Sequence, residues 1–187
     1  MDAAAWSPRL ARWEDIPEME GLISASVRGL HRGIHSPEQI EASIGTVFGV
    51  DRQLIRDGTY FAVEDGGRII GCGGWSRRAS LCGSDSMRTG EDPLVDPGRD
   101  PARVRAFFVL PEWARRGVGS ALMAECERAI TAAGFRRVLI VATLAGEPLY
   151  ARFGYRVSER TEVSMPGGLS TPVVRMEKEL SGPVDAP

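Results

Sequence analysis

A glycine-containing turn between a strand-like and a helix-like segment constrains this sequence more than any other feature. Residues 103–110 predict an apolar strand, and the turn 115–120 (RRGVGS) follows it. A helix with apolar residues at helical spacing comes next and ends at Gly134, and residues 136–143 predict a second buried strand. This order predicts a layered fold in which helices pack on a sheet, of the α/β or α+β class.

Strand-like and helix-like segments alternate along the rest of the chain too. Segments 59–65 and 68–78 flank Asp65-Gly66-Gly67, whose glycines adopt positive φ at little cost, so they predict a β-hairpin. Ser36 and Gln39 have the spacing of a capping box that starts a helix running to about Ile44. Further elements are predicted as helices at 15–30 and 147–153 and strands at 8–13, 155–162 and 172–180.

Composition and charge indicate one folded domain. The chain has 187 residues, 43% of them hydrophobic, and 25 acidic against 23 basic groups give a net charge of −2. We expect a single domain over 1–187, with a core from about 8 to 180 and a frayed tail at 181–187. A nucleic-acid binder would normally show a basic surplus, which is missing here, so we expect no nucleic-acid partner.

The sequence indicates neither a membrane span nor a leader. The longest apolar run, Val138 to Ala145, is too short to cross a bilayer, and the start Met1-Asp2-Ala3 has no basic or long apolar region. Cys72, Cys82 and Cys126 are odd in number and form no CxxC, a pattern typical of reduced thiols. We therefore expect a cytoplasmic protein with no membrane partner.

Residues 79–101 show no periodicity and are rich in Gly, Pro, Ser and Asp. A loop of this length within a domain is uncommon and is usually functional or mobile, and we give the mobile interpretation slight preference. The loop also carries five acids, which would draw in a cationic acceptor: Asp85, Glu91, Asp92, Asp96 and Asp100.

The turn at 115–120 predicts a cradle for an anion. Its glycines let the backbone approach a ligand, and the first amides of the following helix are unpaired donors at its positive end. The side chains of Arg115 and Arg116 add charge that suits a pyrophosphate. A Walker A loop would need a lysine where Ser120 stands, and a Rossmann fingerprint would need a small residue where Leu122 stands, so neither fits.

Two motifs in order resemble those of the GNAT superfamily of acetyl-coenzyme A-dependent N-acetyltransferases. The first is FFVLPEWARRGVGSAL at 107–122, and the second is LYARFGY at 149–155. The resemblance covers about residues 8–180 and implies the acyl-CoA N-acyltransferase (GNAT) fold. That fold is of the α+β class, with α/β/α layers around a mixed, mostly antiparallel central sheet of about seven strands with about four helices. The sequence departs from the family consensus at Ala114, where Gln or Arg is usual; arginine stands at Arg115 instead.

The resemblance also implies roles for individual residues. In such enzymes the backbone of the fourth strand pairs with the pantetheine arm, which points to Phe108 and Val109, and an amide at a bulge near Phe108 to Leu110 polarises the thioester carbonyl. Tyr150 matches the tyrosine that protonates the departing coenzyme A thiolate, for which a phenol with a pKa near ~10 is suited. The pyrophosphate would lie on the amides of Arg115, Arg116, Gly117, Val118, Gly119 and Ser120.

The sequence does not single out a general base. A protonated amine cannot attack a thioester, and the family often uses a glutamate on the fourth strand, but residues 103–110 contain no acid. His31 and His35 are four residues apart with Gly33 between them and no third ligand nearby, so we expect helix-end or loop histidines and no metal site. The candidate bases, none ranked above a relay of water molecules, are His31, His35, Glu112 and Glu147.

The resulting hypothesis is an N-acetyltransferase that moves an acetyl group from acetyl-CoA to a primary amine by direct attack in a ternary complex. One alternative is a non-catalytic acyl-CoA sensor or interaction module of the same fold. Another is transfer of a succinyl or longer acyl group, which needs space near Trp75, a residue equally consistent with simple packing. The acceptor is expected to be a small-molecule amine or a peptide N-terminus, and a homodimer is compatible with the resemblance.

Overall fold

The computed structural model describes residues 6–81, 90 and 92–180. Within them the chain forms five α-helices and seven β-strands. The helices are α1 (Ile16–Leu30), α2 (Pro37–Ser43), α3 (Arg52–Asp57), α4 (Val118–Ala132) and α5 (Glu147–Arg152). The strands are β1 (Arg9–Leu10), β2 (Tyr60–Asp65), β3 (Arg68–Ser76), β4 (Ala102–Val109), β5 (Arg137–Thr143), β6 (Arg156–Ser164) and β7 (Ser170–Glu179).

The seven strands form one sheet in the order β1-β2-β3-β4-β5-β7-β6. β4 and β5 run parallel, and every other neighbouring pair is antiparallel. Because a tight hairpin cannot join parallel strands, α4 forms the crossover between β4 and β5. The expected α+β fold, with a mixed and mostly antiparallel sheet of seven strands, is confirmed.

The sequence predicts about four helices and misses α3. Asp51 caps this helix, because its carboxylate accepts hydrogen bonds from the amides of Gln53 (3.1 Å) and Leu54 (3.3 Å). Gly58 ends it in the left-handed region, with φ of 68°. Both residues are visible in the sequence, but a helix of 6 residues is too short to show apolar periodicity.

Two local predictions are confirmed. Ser36 Oγ accepts a hydrogen bond from Gln39 N (3.2 Å), and Gln39 Oε1 accepts one from Ser36 N (2.8 Å), which completes the capping box of α2. Gly66 and Gly67 turn the chain between β2 and β3 with φ of 55° and 82°. Two left-handed residues in succession match the twist of a hairpin.

Glycines in β3 allow the helices to approach the sheet closely. A Cβ at Gly71 would lie 2.5 Å from Val118 Cγ1 of α4, and a Cβ at Gly74 would lie 2.9 Å from Leu54 Cδ1 of α3. Residues three apart in a strand point to opposite faces, so α4 and α3 cover opposite faces of the sheet. Fully buried side chains between these layers include Met19, Ile23, Ile69, Ile70, Leu122, Met123 and Ile130.

The described ends of the 79–101 loop are bonded to each other and to the end of β3. Ala79 N donates to Pro93 O (3.0 Å), and Val95 N donates to Arg77 O (2.9 Å). The two ends of the loop are therefore joined to each other by backbone hydrogen bonds. Three loop residues named in the sequence analysis lie outside the described residues: Cys82, Asp85 and Glu91.

Candidate active site

The parallel strands β4 and β5 separate after a short paired stretch. Their ladder ends at the pair Val104–Ile140, whereas β4 continues to Val109 and β5 to Thr143. In the described part of the chain, no β5 residue pairs with β4 beyond Val104. The backbone edge of β4 is therefore open to a ligand over its second half.

A β-bulge lies in β4 beside this opening. Ala106 has φ of 59°, and Ala106 and Phe107 together stand opposite Gly73 of β3. A Cβ at Gly73 would lie 2.6 Å from the Phe107 ring, so the glycine makes room for the ring, while Tyr60 Oη donates to Ala106 O (3.2 Å). The sequence analysis places the bulge near Phe108 to Leu110. The structure corrects it to Ala106–Phe107, because the glycine that accommodates it faces Phe107.

Phe108, Val109 and Leu110 have different backbone environments. Leu110 N donates to Ile70 O (3.0 Å), which places this amide in the ladder between β3 and β4. Amides alternate in direction along a strand, so Val109 N points away from β3, where it donates to Ser26 Oγ of α1 (3.3 Å). Val109 thus presents its amide on the open side of β4, whereas the side chains of Phe108 and Leu110 are buried in the core.

Ser26 is a residue that the sequence analysis does not single out. It is buried on the stripe of α1 that also carries Ile23 and Val27. The sign of its special position in the sequence is that a serine stands among the apolar residues of α1. Its partner Val109 is 83 positions away, so the pairing itself could not be foreseen.

The turn after β4 contains two residues with positive φ. Arg115 and Gly117 have φ of 64° and 90°, and the φ of Arg116 between them is negative. The first bond of α4 runs from Ala121 N to Gly117 O (2.9 Å), and among the described residues the amides of 115–120 have no acceptor. Such an alternation of handedness directs successive N–H groups into one concavity that suits an anion. The turn therefore presents unpaired amides of the kind that suit an anion.

Tyr150 of α5 lies beside the bulge and the cradle. Its ring meets the Phe107 ring edge-on with centroids 6.1 Å apart, and a Cβ at Gly119 would lie 3.1 Å from the neighbouring Leu149. The two sequence motifs therefore converge in space. The Tyr150 side chain is buried, which raises the pKa of the phenol, with a smaller contribution from Cys126.

The Tyr150 hydroxyl makes no hydrogen bond to any described residue. The Tyr150 side chain as a whole is buried, and Tyr155 Oη of the same motif is a fully buried oxygen without a partner among the described residues. A neutral phenol is the state required of a general acid.

Both candidate carboxylate bases are paired with arginines. Glu147 Oε1 lies 2.6 Å from Arg160 Nη2, and this hydrogen bond lowers the pKa of Glu147. Glu112 Oε1 lies 3.2 Å from Arg68 Nη2, and both side chains are about half exposed. The lowered pKa makes Glu147 a weaker proton acceptor, and Glu112 is engaged in an ion pair.

The two histidines form a stacked pair at the C-terminal end of α1. Their ring centroids are 5.2 Å apart, and His35 Nε2 lies 2.5 Å from Thr171 Oγ1. Burial, assisted by the charge of His35, lowers the pKa of His31 to about 4, and burial also lowers that of His35. The His31 ring packs on Phe48, which in turn packs on Phe108, so the pair lies near β4 as neutral imidazoles.

Other residues named from the sequence lie in the core. Cys72 and Cys126 are free and buried, and burial raises the pKa of the Cys72 thiol to about 12, as expected for a packing role. Trp75 is also buried and contacts Phe135 edge-on, with centroids 6.0 Å apart. Trp75 therefore packs in the core, which is one of the two interpretations that the sequence allows.

The acids of the 79–101 loop that the structure describes are engaged within the protein. The Asp92 side chain is 7% exposed and lies 3.8 Å from Arg105 Nη2 of β4. Asp96 accepts a hydrogen bond from Gly98 N (2.9 Å), and Asp100 accepts one from Asp96 N (3.0 Å). Asp92 thus compensates a buried guanidinium rather than offering charge to an acceptor in solvent.

The described residues contain neither a candidate metal cluster nor a candidate membrane-spanning helix. No group of three or more His, Cys, Asp or Glu side chains there could hold a metal ion. No helix in the same part of the chain is long and apolar enough to span a membrane.

Comparison with known proteins places the chain in a family. The model of the acetyltransferase (GNAT) domain matches residues 56–157. The chain belongs to the GNAT acetyltransferase family. The resemblance drawn from the motifs at 107–122 and 149–155 is thereby confirmed. No curated protein sequence matches the chain at a significant level.

Solved structures share the GNAT fold at low sequence identity. A GCN5-related N-acetyltransferase from Rhodopseudomonas palustris is 22% identical with a TM-score of 0.72, covering 96% of this chain and 99% of that one. The PaiA N-acetyltransferase from Thermoplasma acidophilum, solved with coenzyme A, is 16% identical with a TM-score of 0.64, covering 94% and 99%. The yncA protein of Salmonella typhimurium, solved with acetyl-CoA, is 15% identical with a TM-score of 0.62, covering 98% of each chain.

Proposed function

We propose that this GNAT protein is an N-acetyltransferase that moves an acetyl group from acetyl-CoA to a primary amine by direct attack in a ternary complex. The observation that carries the proposal is the convergence of three features. The open edge of β4, the unpaired amides of 115–120 and the free hydroxyl of Tyr150 lie side by side. Structural relatives that hold coenzyme A or acetyl-CoA support the choice of donor.

The cofactor would extend along β4 and end on the cradle. The amides of Arg115, Arg116, Gly117, Val118, Gly119 and Ser120 would hold the pyrophosphate, and the two arginine side chains would add charge. Val109, whose amide is held by Ser26 Oγ, would face the pantetheine arm with its backbone, while Phe108 and Leu110 support the strand from the core. A backbone amide of the bulge at Ala106–Phe107 would donate to the thioester carbonyl oxygen.

When bound, acetyl-CoA supplies an activated acetyl thioester. The amine nitrogen forms a bond to the carbonyl carbon as the carbon–sulfur bond breaks, and Tyr150 donates its proton to the departing thiolate. The proton released by the amine passes to water, and water in turn reprotonates Tyr150. Burial lowers the pKa values of His31 and His35, which makes both weak proton acceptors, and Glu112 and Glu147 are paired with arginines. A water relay is therefore the base that we propose.

The proposal extends to a single acetyltransferase domain over 1–187 that works in the cytoplasm. One continuous sheet and the free thiols of Cys72 and Cys126 support it. The acceptor that we propose is a small-molecule amine or a peptide N-terminus.

Replacement of the general acid tests the proposal. Tyr150→Phe should lower kcat at least tenfold, since general-acid catalysis contributes ~10² to 10⁴. The affinity for coenzyme A should change little, because the hydroxyl has no partner to lose. Release of the coenzyme A thiol against a library of amines measures kcat, and calorimetric titration measures affinity.

Tyr155→Phe is the matched control. It removes a hydroxyl from the same motif, but that oxygen is fully buried and cannot reach a substrate, so turnover should be retained. Equal turnover of Tyr150→Phe and wild type would remove the proposed role of Tyr150.

A second candidate function is an acyl-CoA sensor without turnover. It is favoured by one observation, the absence of an acid from residues 103–110 of the strand that lines the site. The same amine library separates the two functions. Tight binding of acetyl-CoA with no acceptor-dependent thiol release would establish the sensor and overturn the enzyme.

A further inference from the structure

Two tryptophans, Trp6 near the start of the chain and Trp113 within the first motif, contact the turn at 115–120. The indole N–H of Trp6 donates to the carbonyl oxygen of Arg116 (3.0 Å), across 110 positions of sequence. The Trp6 ring meets the Trp113 ring edge-on, with centroids 5.3 Å apart and an interplanar angle of 88°. A Cβ at Gly117 would lie 3.9 Å from Trp6 Cδ1. We call Trp6 and Trp113 the tryptophan clasp.

The hydrogen bond from Trp6 fixes the direction of one amide of the cradle. In a trans peptide the C=O and the N–H of the same plane point in opposite directions, and no described peptide bond of this chain is cis. Trp6 holds the carbonyl of Arg116 on its own side of the turn. The N–H of Gly117 is therefore held on the side away from Trp6, which is the ligand side of the proposed cradle.

The position needs such a restraint. Gly117 has φ of 90°, and a glycine without a side chain populates several backbone states at similar cost. An amide that can rotate away from an anion loses part of its binding energy to ordering. A hydrogen bond to the preceding carbonyl removes that freedom before the ligand arrives.

The second member of the clasp acts on the side chain of the same residue. The guanidinium carbon of Arg116 lies 5.2 Å from the centre of the Trp113 ring, within the range of a cation–π contact. Trp113 itself is held against Trp6. Both the peptide plane and the side chain of Arg116 are therefore oriented by the clasp.

We propose that Trp6 is a positioning residue for the pyrophosphate of coenzyme A, acting through the peptide plane between Arg116 and Gly117. The proposal rests on the proposed function, since it assumes that the cradle binds coenzyme A. It concerns a residue outside both sequence motifs and adds a determinant of cofactor affinity that lies far from the cradle in sequence.

Trp6→Phe is the variant that tests it, because phenylalanine keeps an aromatic ring against Trp113 and removes the N–H donor. Binding of coenzyme A, measured by calorimetric titration, should weaken about three- to tenfold, the effect of losing one hydrogen bond. Binding of pantetheine, which has no phosphates, should not change. Trp13→Phe is the matched control, since Trp13 is half exposed, and it should leave both affinities at the wild-type value.

A spectroscopic readout separates positioning from general destabilisation. In protein labelled with ¹⁵N-glycine, the Gly117 amide should shift downfield when coenzyme A or inorganic pyrophosphate is added, and this shift should shrink in Trp6→Phe. The thermal unfolding midpoint of the variant without ligand provides the folding control.

Each outcome decides the question. Unchanged coenzyme A affinity in Trp6→Phe, or equal losses for coenzyme A and pantetheine, would overturn the role of Trp6 and leave the proposed function standing. If the wild-type protein binds neither coenzyme A nor acetyl-CoA, the proposed function fails and the role of Trp6 fails with it.

Discussion

At the scale of single residues, burial decides which groups around the site carry charge. Burial raises the pKa values of the Tyr150 phenol and the Cys72 thiol, and it lowers that of the His31 imidazole to about 4. All three shifts favour the neutral form, because a buried charge loses its hydration. These three groups near β4 are therefore neutral at neutral pH.

His31 makes the stability of the fold depend on pH. Its pKa is about 4 when folded and 6.5 as a model value, so between these pH values the unfolded chain binds a proton that the folded chain does not. The stability that the fold gains from a neutral His31 is therefore fully present above pH 6.5 and is lost as the pH falls toward 4. A shift of this size corresponds to about 3 kcal/mol at most.

Urea unfolding at several pH values measures this effect in wild type and in His31→Leu, which cannot titrate. Wild type should lose more free energy of unfolding between pH 7 and pH 4 than the variant does. Parallel curves for the two proteins would show that His31 titrates normally in the folded state.

At the scale of elements, close contact between α1 and the segment after β4 positions the site. A Cβ at Gly29 of α1 would lie 2.3 Å from Cγ and 2.9 Å from Cβ of Pro111, which begins the connection from β4 to the cradle. The same helix brings Ser26 to Val109. Because a proline ring is rigid, α1 can only approach β4 this closely with a glycine at the contact.

Two glycines of α1 provide a matched pair of tests. Gly29→Ala should destabilise the protein by about 1–3 kcal/mol, because the new methyl group overlaps the Pro111 ring. Gly21→Ala, on the same helix with nothing within 4 Å of the new Cβ, should stabilise it by up to about 1 kcal/mol through helix propensity. Urea unfolding measures both. A gain in stability from Gly29→Ala would contradict the close contact.

Across the whole molecule, arginines serve two different purposes, which the net charge of −2 does not reveal. Arg105 is buried, with its side chain 3% exposed, and pairs with Asp51 at 2.9 Å to hold β4 to the start of α3. Arg115 and Arg116 flank a cradle whose amides have no acceptor among the described residues. The first use serves the fold, and the second is proposed to serve the cofactor.

The affinity for coenzyme A should therefore depend on salt. Arg115→Ala combined with Arg116→Ala should weaken binding by about tenfold or more at low salt, since hydrogen bonds to charged groups contribute ~1.5–3 kcal/mol each before screening. The double variant should also show a shallower salt dependence. Arg128→Ala is the control, because Arg128 is exposed and paired with Glu125 within α4. Identical salt dependence in the double variant and wild type would place the phosphates elsewhere.

Much of the fold and part of the site follow from the sequence because their causes are local. The hairpin at Gly66–Gly67 and the capping box at Ser36 depend on residues a few positions apart. Helix α3 has local signals as well, but it is too short for its pattern to stand out. The cradle at 115–120 also has a local cause, because it includes the first amides of a helix that the sequence predicts.

The order of the elements, the glycine-containing turn and the family could all be inferred from the sequence alone. The position of the bulge in β4 could not, since it depends on Gly73 of a neighbouring strand and became clear from the three-dimensional packing. The tertiary structure also decided that Tyr150 lies beside Phe107 and that Trp6 reaches Arg116. The reason is physical: a turn or a cap is stabilised within one stretch of chain, whereas these contacts form only after distant stretches pack against one another.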